Sequence, residues 1–335
     1  MLQKVDILPW FLRHIKQQGI IGMEEQVPEW ATRHDYFHHS NYRLKSKAEI
    51  FFDKVFVRPT VKLAWEAQKR DDLTKEQKSY AWEIIKKLDR NWNGDDNAAM
   101  MTGREVQSAC DKVLMESFDI SRATAEAIEA AMDYKPNEWE ASDKENADRA
   151  VEDLPDIIKN AVTGLQEAMH TYNRITGESE LFGKLPGNIL PYSTFPDYVG
   201  CGDLKVKTYR SAPNTKAGFR RPSLPKSLGG MFEKNNASQV AGFWALNGQK
   251  PPWLLYASKD DYSLLTPENC DELKPEFLRM LVEDSTNKNK AIEYKLQNAE
   301  TMKDLLADEF VNFHEWRKPP PFIEEAKKLW STFYE

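Results

Sequence analysis

The stretch Phe195-Pro196-Asp197-Tyr198-Val199-Gly200-Cys201-Gly202-Asp203-Leu204-Lys205-Val206-Lys207 decides how the chain is read. It sets two carboxylates and a lysine on either side of a glycine-rich turn. From Asp203 polar and apolar residues alternate, the pattern of a half-buried strand over 203–209. A three-residue loop at 200–202 puts Val199 opposite Asp203 and Asp197 opposite Lys205. Directly opposed residues share a sheet face, and Asp203 shares it with Lys205 by the period of two, so all three side chains converge. A two-residue loop turns Asp197 to the other face, because a one-residue change of register inverts every side chain.

Two acidic oxygens on one face suit Mg²⁺ or Mn²⁺, hard cations that take oxygen ligands and keep waters and substrate phosphate. Such an ion activates a water and offsets charge at phosphorus, and an adjacent lysine orients that water or stabilises the developing charge. Phosphodiester hydrolysis is the natural use of this set. An amphipathic hairpin with its polar face in water is the other reading of Asp-x-Lys.

Working outward, Gly103-Arg104-Glu105-Val106-Gln107-Ser108-Ala109-Cys110-Asp111 lies on a helix, with Gln107 and Asp111 one turn apart on one face. Downstream, residues 204–232 carry Lys205, Lys207, Arg210, Lys216, Arg220, Arg221 and Lys226 and no acid, inside a protein of net charge −7. That segment is either a phosphate-tracking surface or a solvated basic loop. Ser238-Gln239-Val240-Ala241-Gly242-Phe243-Trp244 then opens a helix over 237–247. Gln239 fits substrate contact, or equally the last position of a relaxed capping box in Asn236-Ala237-Ser238-Gln239.

Further out, the first 175 residues read as helix, with stripes over 64–88, 103–115, 121–132 and 153–175 and a polar connector at 136–150. Beyond Gly177, prolines and glycines punctuate short strands, 218–230 is a loop, and 253–256 and 262–265 pair across 259–261. The last 65 residues return to amphipathic helix, interrupted by Pro319-Pro320-Pro321.

Composition narrows the class. At 41% hydrophobic and 11% aromatic residues, 335 residues have the means for a sizeable core, so general disorder is excluded. No apolar run approaches eighteen residues and the N-terminus lacks a basic-then-apolar leader, so a membrane span and classical secretion are not expected. Cys110, Cys201 and Cys270 are too few for a four-cysteine zinc or iron-sulfur site and fit a reducing cytoplasm. There is no Gly-x-Ser-x-Gly elbow, P-loop or dinucleotide fingerprint, and His38-His39 reads as surface or packing residues.

The order of these elements resembles the PD-(D/E)XK nuclease superfamily, in particular its RecB-type and phage exonuclease branches. The residues that carry the resemblance are Gly103-x-x-x-Gln107-x-x-x-Asp111, then Asp197, then Asp203-Leu204-Lys205, then Gln239-x-x-x-Phe243. Gln107 stands where a metal-binding His is common, and the spacing from Asp197 to Asp203 is short for the family, leaving Glu178 or Glu180 as the fallback first acid. The resemblance implies an α/β fold, a small mixed β-sheet flanked by helices, with a largely helical N-terminal region. It places that region at 1–95, the nuclease core at 96–275 and a C-terminal helical extension at 276–335.

It also implies a Mg²⁺-dependent deoxyribonuclease of phage-exonuclease type, Mn²⁺ substituting, without an iron-sulfur cluster. Asp197 and Asp203 would ligate metal with the carbonyl of Leu204, Lys205 would assist the attacking water, and Gln239 would position substrate or Lys205. Gln107 and Asp111 would form an outer or second-metal shell, while Arg210, Lys216, Arg220, Arg221 and Lys226 would track DNA phosphates. DNA is the implied partner; a second copy of the chain or a single-strand annealing protein is a further one that the residues do not specify. A catalytically silent nucleic-acid-binding or assembly protein that keeps the fold is the alternative.

Overall fold

The computed structural model describes residues 37–38, 58–88, 97–136, 142–172, 177, 180–189, 191–198, 202–230, 233–298, 323–324 and 327. Contacts divide the chain into two compact units, one of Asp96–Asn287 and one of Met1–Asp95 with Lys288–Glu335. The fold is mixed α/β, with small sheets flanked by helices and a helical N-terminal region. Among the described residues no helix is long and apolar enough to cross a membrane.

In the N-terminal region α1 (Arg58–Lys69) packs on α2 (Lys75–Leu88) around buried Ala64, Ala81 and Ile85, with Trp65 edge-on to Trp82. The stripe over 64–88 reads as one helix, but the structure breaks it at residues 70–74. The cause is a capping box: Gln77 N donates to Thr74 Oγ1 and Thr74 N donates to Gln77 Oε1, which starts a new helix after Thr74.

In the larger unit, α3 (Ala98–Met115), α4 (Ile120–Met132) and α5 (Asp143–Tyr172) pack on one another through a seam rich in small residues, including Ala109, Ala123, Ala127, Ala150 and Ala161. Asn97 and Asp119 cap α3 and α4 by accepting from amides of their first turns. The polar connector expected at 136–150 is only partly a connector, because α5 begins at Asp143 and runs 30 residues to Tyr172 rather than over 153–175. Pro155, which suits a first turn, lies inside that helix. Ala147 and Ala150 extend the buried stripe of Leu154, Ile157, Ile158, Ala161 and Leu165 by two turns. Buried Asp143 accepts from Ala98 N at 2.8 Å and from the Tyr134 hydroxyl at 2.6 Å, tying the start of α5 to the start of α3.

The sheet behind the helices has three strands, β3 (Gly202–Val206), β6 (Trp253–Ala257) and β7 (Tyr262–Leu265), in the order β3-β6-β7. β3 runs parallel to β6 and β6 antiparallel to β7. Every residue of the central Trp-Leu-Leu-Tyr-Ala strand is buried, as a strand covered on both faces requires. β3 stops at Val206, short of 209, because its partner strand ends at Ala257, whose carbonyl receives the Lys207 amide at 2.8 Å. The parallel connection carries α6 (Glu233–Leu246), one turn longer at its start than the pattern over 237–247 suggests.

Two hairpins complete this unit. β1 (Leu181–Gly183) pairs antiparallel with β2 (Tyr192–Thr194), and β4 (Arg210–Ser211) with β5 (Phe219–Arg220). Only β5 of the second lies in the stretch 218–230 read as a loop.

Candidate nuclease site

Asp197 lies three residues past the end of β2, and the chain then folds back on itself. Tyr198 N donates to Gly202 O at 3.2 Å and Gly202 N to Tyr198 O at 3.3 Å, an antiparallel pair enclosing residues 199–201. The expected loop at 200–202 is therefore corrected by one position and the register by two, with Asp197 facing Asp203 rather than Lys205. A shift of two preserves the face of every side chain, so the two acids and Lys205 still lie on one side.

Aromatic packing fixes this register. Trp253, directly opposite Gly202 in the parallel pair, stacks on Tyr198 at 5.8 Å with 25° between the rings. A Cβ on Gly202 would lie 1.8 Å from a Trp253 ring carbon, so only glycine lets the indole lie flat on the strand. Both rings are almost fully buried.

Asp203 is 0% exposed, and Lys205 Nζ makes an ion pair with its Oδ2. Neither carboxylate oxygen accepts a hydrogen bond of regular geometry. Burial above all, and then the Asp197 carboxylate, push the Asp203 carboxyl well above the usual carboxylate range, while Lys205 pulls it back. Asp197 is half-buried, and its Oδ2 accepts from the Leu204 amide at 2.9 Å. The Leu204 amide thus ties this acid to β3.

Asp111 reaches the same hairpin from α3. Burial raises the Tyr198 hydroxyl well above the ordinary phenol range, and Cys110, Asp111 and Asp197 are the neighbours that add to the rise. Gln107 is half-buried one turn earlier on α3 and makes no hydrogen bond with the acids among the described residues. Gln239 is half-buried on α6 and makes no hydrogen bond with Lys205 among the described residues. Its capping-box reading falls, because α6 starts at Glu233 and Asn236 instead donates from Nδ2 to the Tyr256 phenol oxygen at 2.7 Å. Glu180 accepts from Ser193 Oγ at 2.9 Å, across the other hairpin, and Glu178 lies outside the described residues.

The donor set suits a hard divalent cation on one count and falls short on another. With both acids ionised, the fully buried Asp203 and the neighbouring Asp197 carry one negative charge more than Lys205 offsets, which a cation would balance. Among the described residues, however, no three His, Cys, Asp or Glu side chains are grouped to hold a metal. Mg²⁺ does not require such a cage, since it is commonly bound by one or two carboxylates with waters and substrate phosphate. Asp197 and Asp203 therefore fit Mg²⁺ or Mn²⁺, with Asp111 close to the Tyr198 hydroxyl.

The basic segment is built rather than loose. Ser211 N donates to Asn146 Oδ1 at 2.7 Å, and the Arg149 guanidinium lies 4.3 Å from the Phe219 ring centroid, pinning the β4–β5 hairpin to α5. Arg210, Lys216, Arg220 and Lys226 are exposed, and Arg210 directly opposes Arg220 across the pair. Like charges so opposed cost stability unless an anion lies between them. Arg221 differs: its Nε donates to the Tyr209 hydroxyl at 3.0 Å and its Nη2 pairs with Asp260 Oδ1 at 3.3 Å. The Tyr209 hydroxyl in turn donates to Asp260 Oδ2 at 3.0 Å.

Sequence reading passed over the support under the hairpin, Tyr198 and Trp253, and the tie on Arg221. A glycine directly before Asp203 is the one local sign of the first. Nothing local marks the second, whose acid lies 39 residues away.

No family model matches the chain, and no curated protein matches it. Among solved structures it is similar to a candidate exonuclease from Eubacterium rectale, at 14% identity over 85% of this chain and 91% of that one, with a TM-score of 0.38.

Proposed function

We propose that the protein is a metal-dependent nuclease that hydrolyses DNA phosphodiester bonds, in the manner of a phage exonuclease. The observation that carries this reading is the fully buried Asp203, set against Asp197 and Lys205 on one face of a strand. A structural strand gains little from such a residue, since an apolar side chain would pack there without the desolvation penalty.

Asp197 and Asp203 would hold Mg²⁺, with Mn²⁺ able to substitute and the Leu204 carbonyl a further ligand. The bound ion supplies Lewis acidity toward water and phosphate. Lys205 leaves its pairing with Asp203 to hold the attacking water or the oxygens of the scissile phosphate. Asp111 and Gln107 order the outer shell, and Gln239 lines the substrate path from α6. Arg210, Lys216, Arg220 and Lys226 follow the phosphate backbone, and the acidic remainder of the surface discourages indiscriminate binding.

End-labelled duplex, single-stranded and closed-circular DNA, each incubated with Mg²⁺, with Mn²⁺ or with EDTA, tests the proposal. Metal-dependent release of acid-soluble nucleotides, lost in Asp203→Ala, is expected. Binding of DNA without release under any metal would instead assign a silent nucleic-acid-binding or assembly protein.

A further inference from the structure

Lys207 continues the alternation that carries Asp203 and Lys205, so its side chain leaves the chain on their face. Its amide is fixed to the Ala257 carbonyl at 2.8 Å, which sets the direction of the side chain. Nζ lies 3.4 Å from Glu233 Oε1 and 5.3 Å from the centroid of the Tyr256 ring. Tyr256 directly opposes Lys205 in the parallel register, and Asn236 holds its phenol oxygen. One face thus presents a buried acid, then a lysine on that acid, then a second lysine between a carboxylate and an aromatic ring.

The ion pair to Glu233 is not needed to seat α6. Buried Ala237, Val240, Ala241 and Phe243 and the Asn236–Tyr256 hydrogen bond already do so, and a partly exposed pair at 3.4 Å contributes little. The Lys207 side chain is 29% exposed, so it is open to a ligand arriving from solvent. An anion that offers better geometry than Glu233 will take it.

We propose that Lys207 is a phosphate-binding residue of this site, held on its face by Glu233 and Tyr256 in the free protein and transferred to the nucleic-acid backbone when substrate enters. This rests on the nuclease reading of Asp203 and Lys205. It adds a role for Glu233, which stands in for phosphate and must be displaced by it.

The two residues then act with opposite sign, which a shared structural role would not produce. Binding of a fluorescein-labelled oligodeoxynucleotide, single-stranded and duplex, is measured by anisotropy in EDTA across a range of salt for wild type, Lys207→Met, Glu233→Gln and the double variant. Lys207→Met should weaken binding and flatten the slope of log affinity on log salt by about 0.9 on duplex or 0.7 on single strands. Glu233→Gln should tighten binding roughly two- to five-fold, since a partly exposed competitor is removed. In the Lys207→Met background, Glu233→Gln should change nothing. Lys207→Arg, which keeps the charge, should retain the wild-type slope even where packing suffers. Weaker binding in both single variants, or no change in either, overturns the role of Lys207 while wild-type hydrolysis leaves the nuclease reading standing. Absence of both binding and hydrolysis in wild type removes both.

Discussion

Two hairpins of this protein carry its informative charges, and they are built in opposite ways. In the turn between Tyr198 and Gly202 the charges are few and interior: Asp203 is fully buried, and Trp253 presses the strand from the next position in the sheet. In the β4–β5 hairpin they are many and exposed, and the supports are side chains of α5 that grip its backbone and its one aromatic ring. Both hold an acid–base pair, Asp203 with Lys205 and Asp260 with Arg221, at side-chain exposures of 0% and 27% against 37% and 73%. Burial makes the first pair costly to keep without a further charge, whereas water screens the second.

The largest expected effect follows from that cost. Asp203→Asn should lower hydrolysis by about 10²–10³-fold or more, the scale of losing one preorganised electrostatic group. It should also raise the thermal midpoint of the metal-free protein. The sign is fixed by the upward shift of the Asp203 carboxyl on folding. The stability that it contributes is complete below its unfolded value of about 3.9 and is lost as pH rises through the folded one. Asparagine does not titrate, so the variant's advantage should widen as pH rises above the unfolded value and level off only above the folded one. Lys205, 27% exposed, keeps access to water when its partner is gone. Mg²⁺ should close the gap by stabilising wild type alone. Melting curves at several pH values, with and without Mg²⁺, measure this, and a wild type more stable than the variant at every pH in EDTA would remove the argument from burial.

The next effect is on folding. Gly202→Ala forces a methyl group into the buried Trp253 ring, which has nowhere to go, at a cost of about 1–3 kcal/mol or more. Denaturant titration checks it. A smaller loss would mean that the indole swings off the strand, and the face shared by Asp197 and Asp203 would then rest on the backbone pair alone.

The exposed hairpin answers to salt instead. Arg210→Ala and Arg220→Ala should each flatten the slope of log affinity on log salt by about 0.9 on duplex DNA, without altering metal-dependent melting. Because the two arginines oppose each other directly, either change should leave the free protein no less stable. Destabilisation by both would mean that their stems, not their charges, are what the fold uses.

What was legible in the sequence divides along the same line. The period of two from Asp203 through Lys207 is local, and it survives an error of two in the register. The Thr74-x-x-Gln77 box was equally local, and its signature marks the break that the longer stripe hides. Asp143 read as a connector residue because its partners, Ala98 N and the Tyr134 hydroxyl, meet it only once the helices are packed. The basic segment read as a loop for the same reason, since Asn146 and Arg149 lie about 65 and 70 residues upstream of what they hold.

Arg221 carries the smallest expected effect and the sharpest separation of a tie from a phosphate contact. Sequence groups it with Arg220, but its guanidinium already spans the Tyr209 hydroxyl and Asp260 on the turn between β6 and β7. A phosphate would have to displace that acid, so little counterion release is left for Arg221 to contribute. Arg221→Ala should therefore change the salt slope much less than Arg220→Ala. Its effect should appear in the hairpin itself, as faster amide exchange over residues 209–221, because the clasp from Tyr209 to Asp260 loses its third member. Asp260→Asn should loosen the same amides, since the clasp needs the acid as much as the base. If Arg221→Ala flattens the slope as far as Arg220→Ala does and leaves exchange unchanged, Arg221 deserts Asp260 for DNA, and the exposed pair is a resting state of the phosphate path.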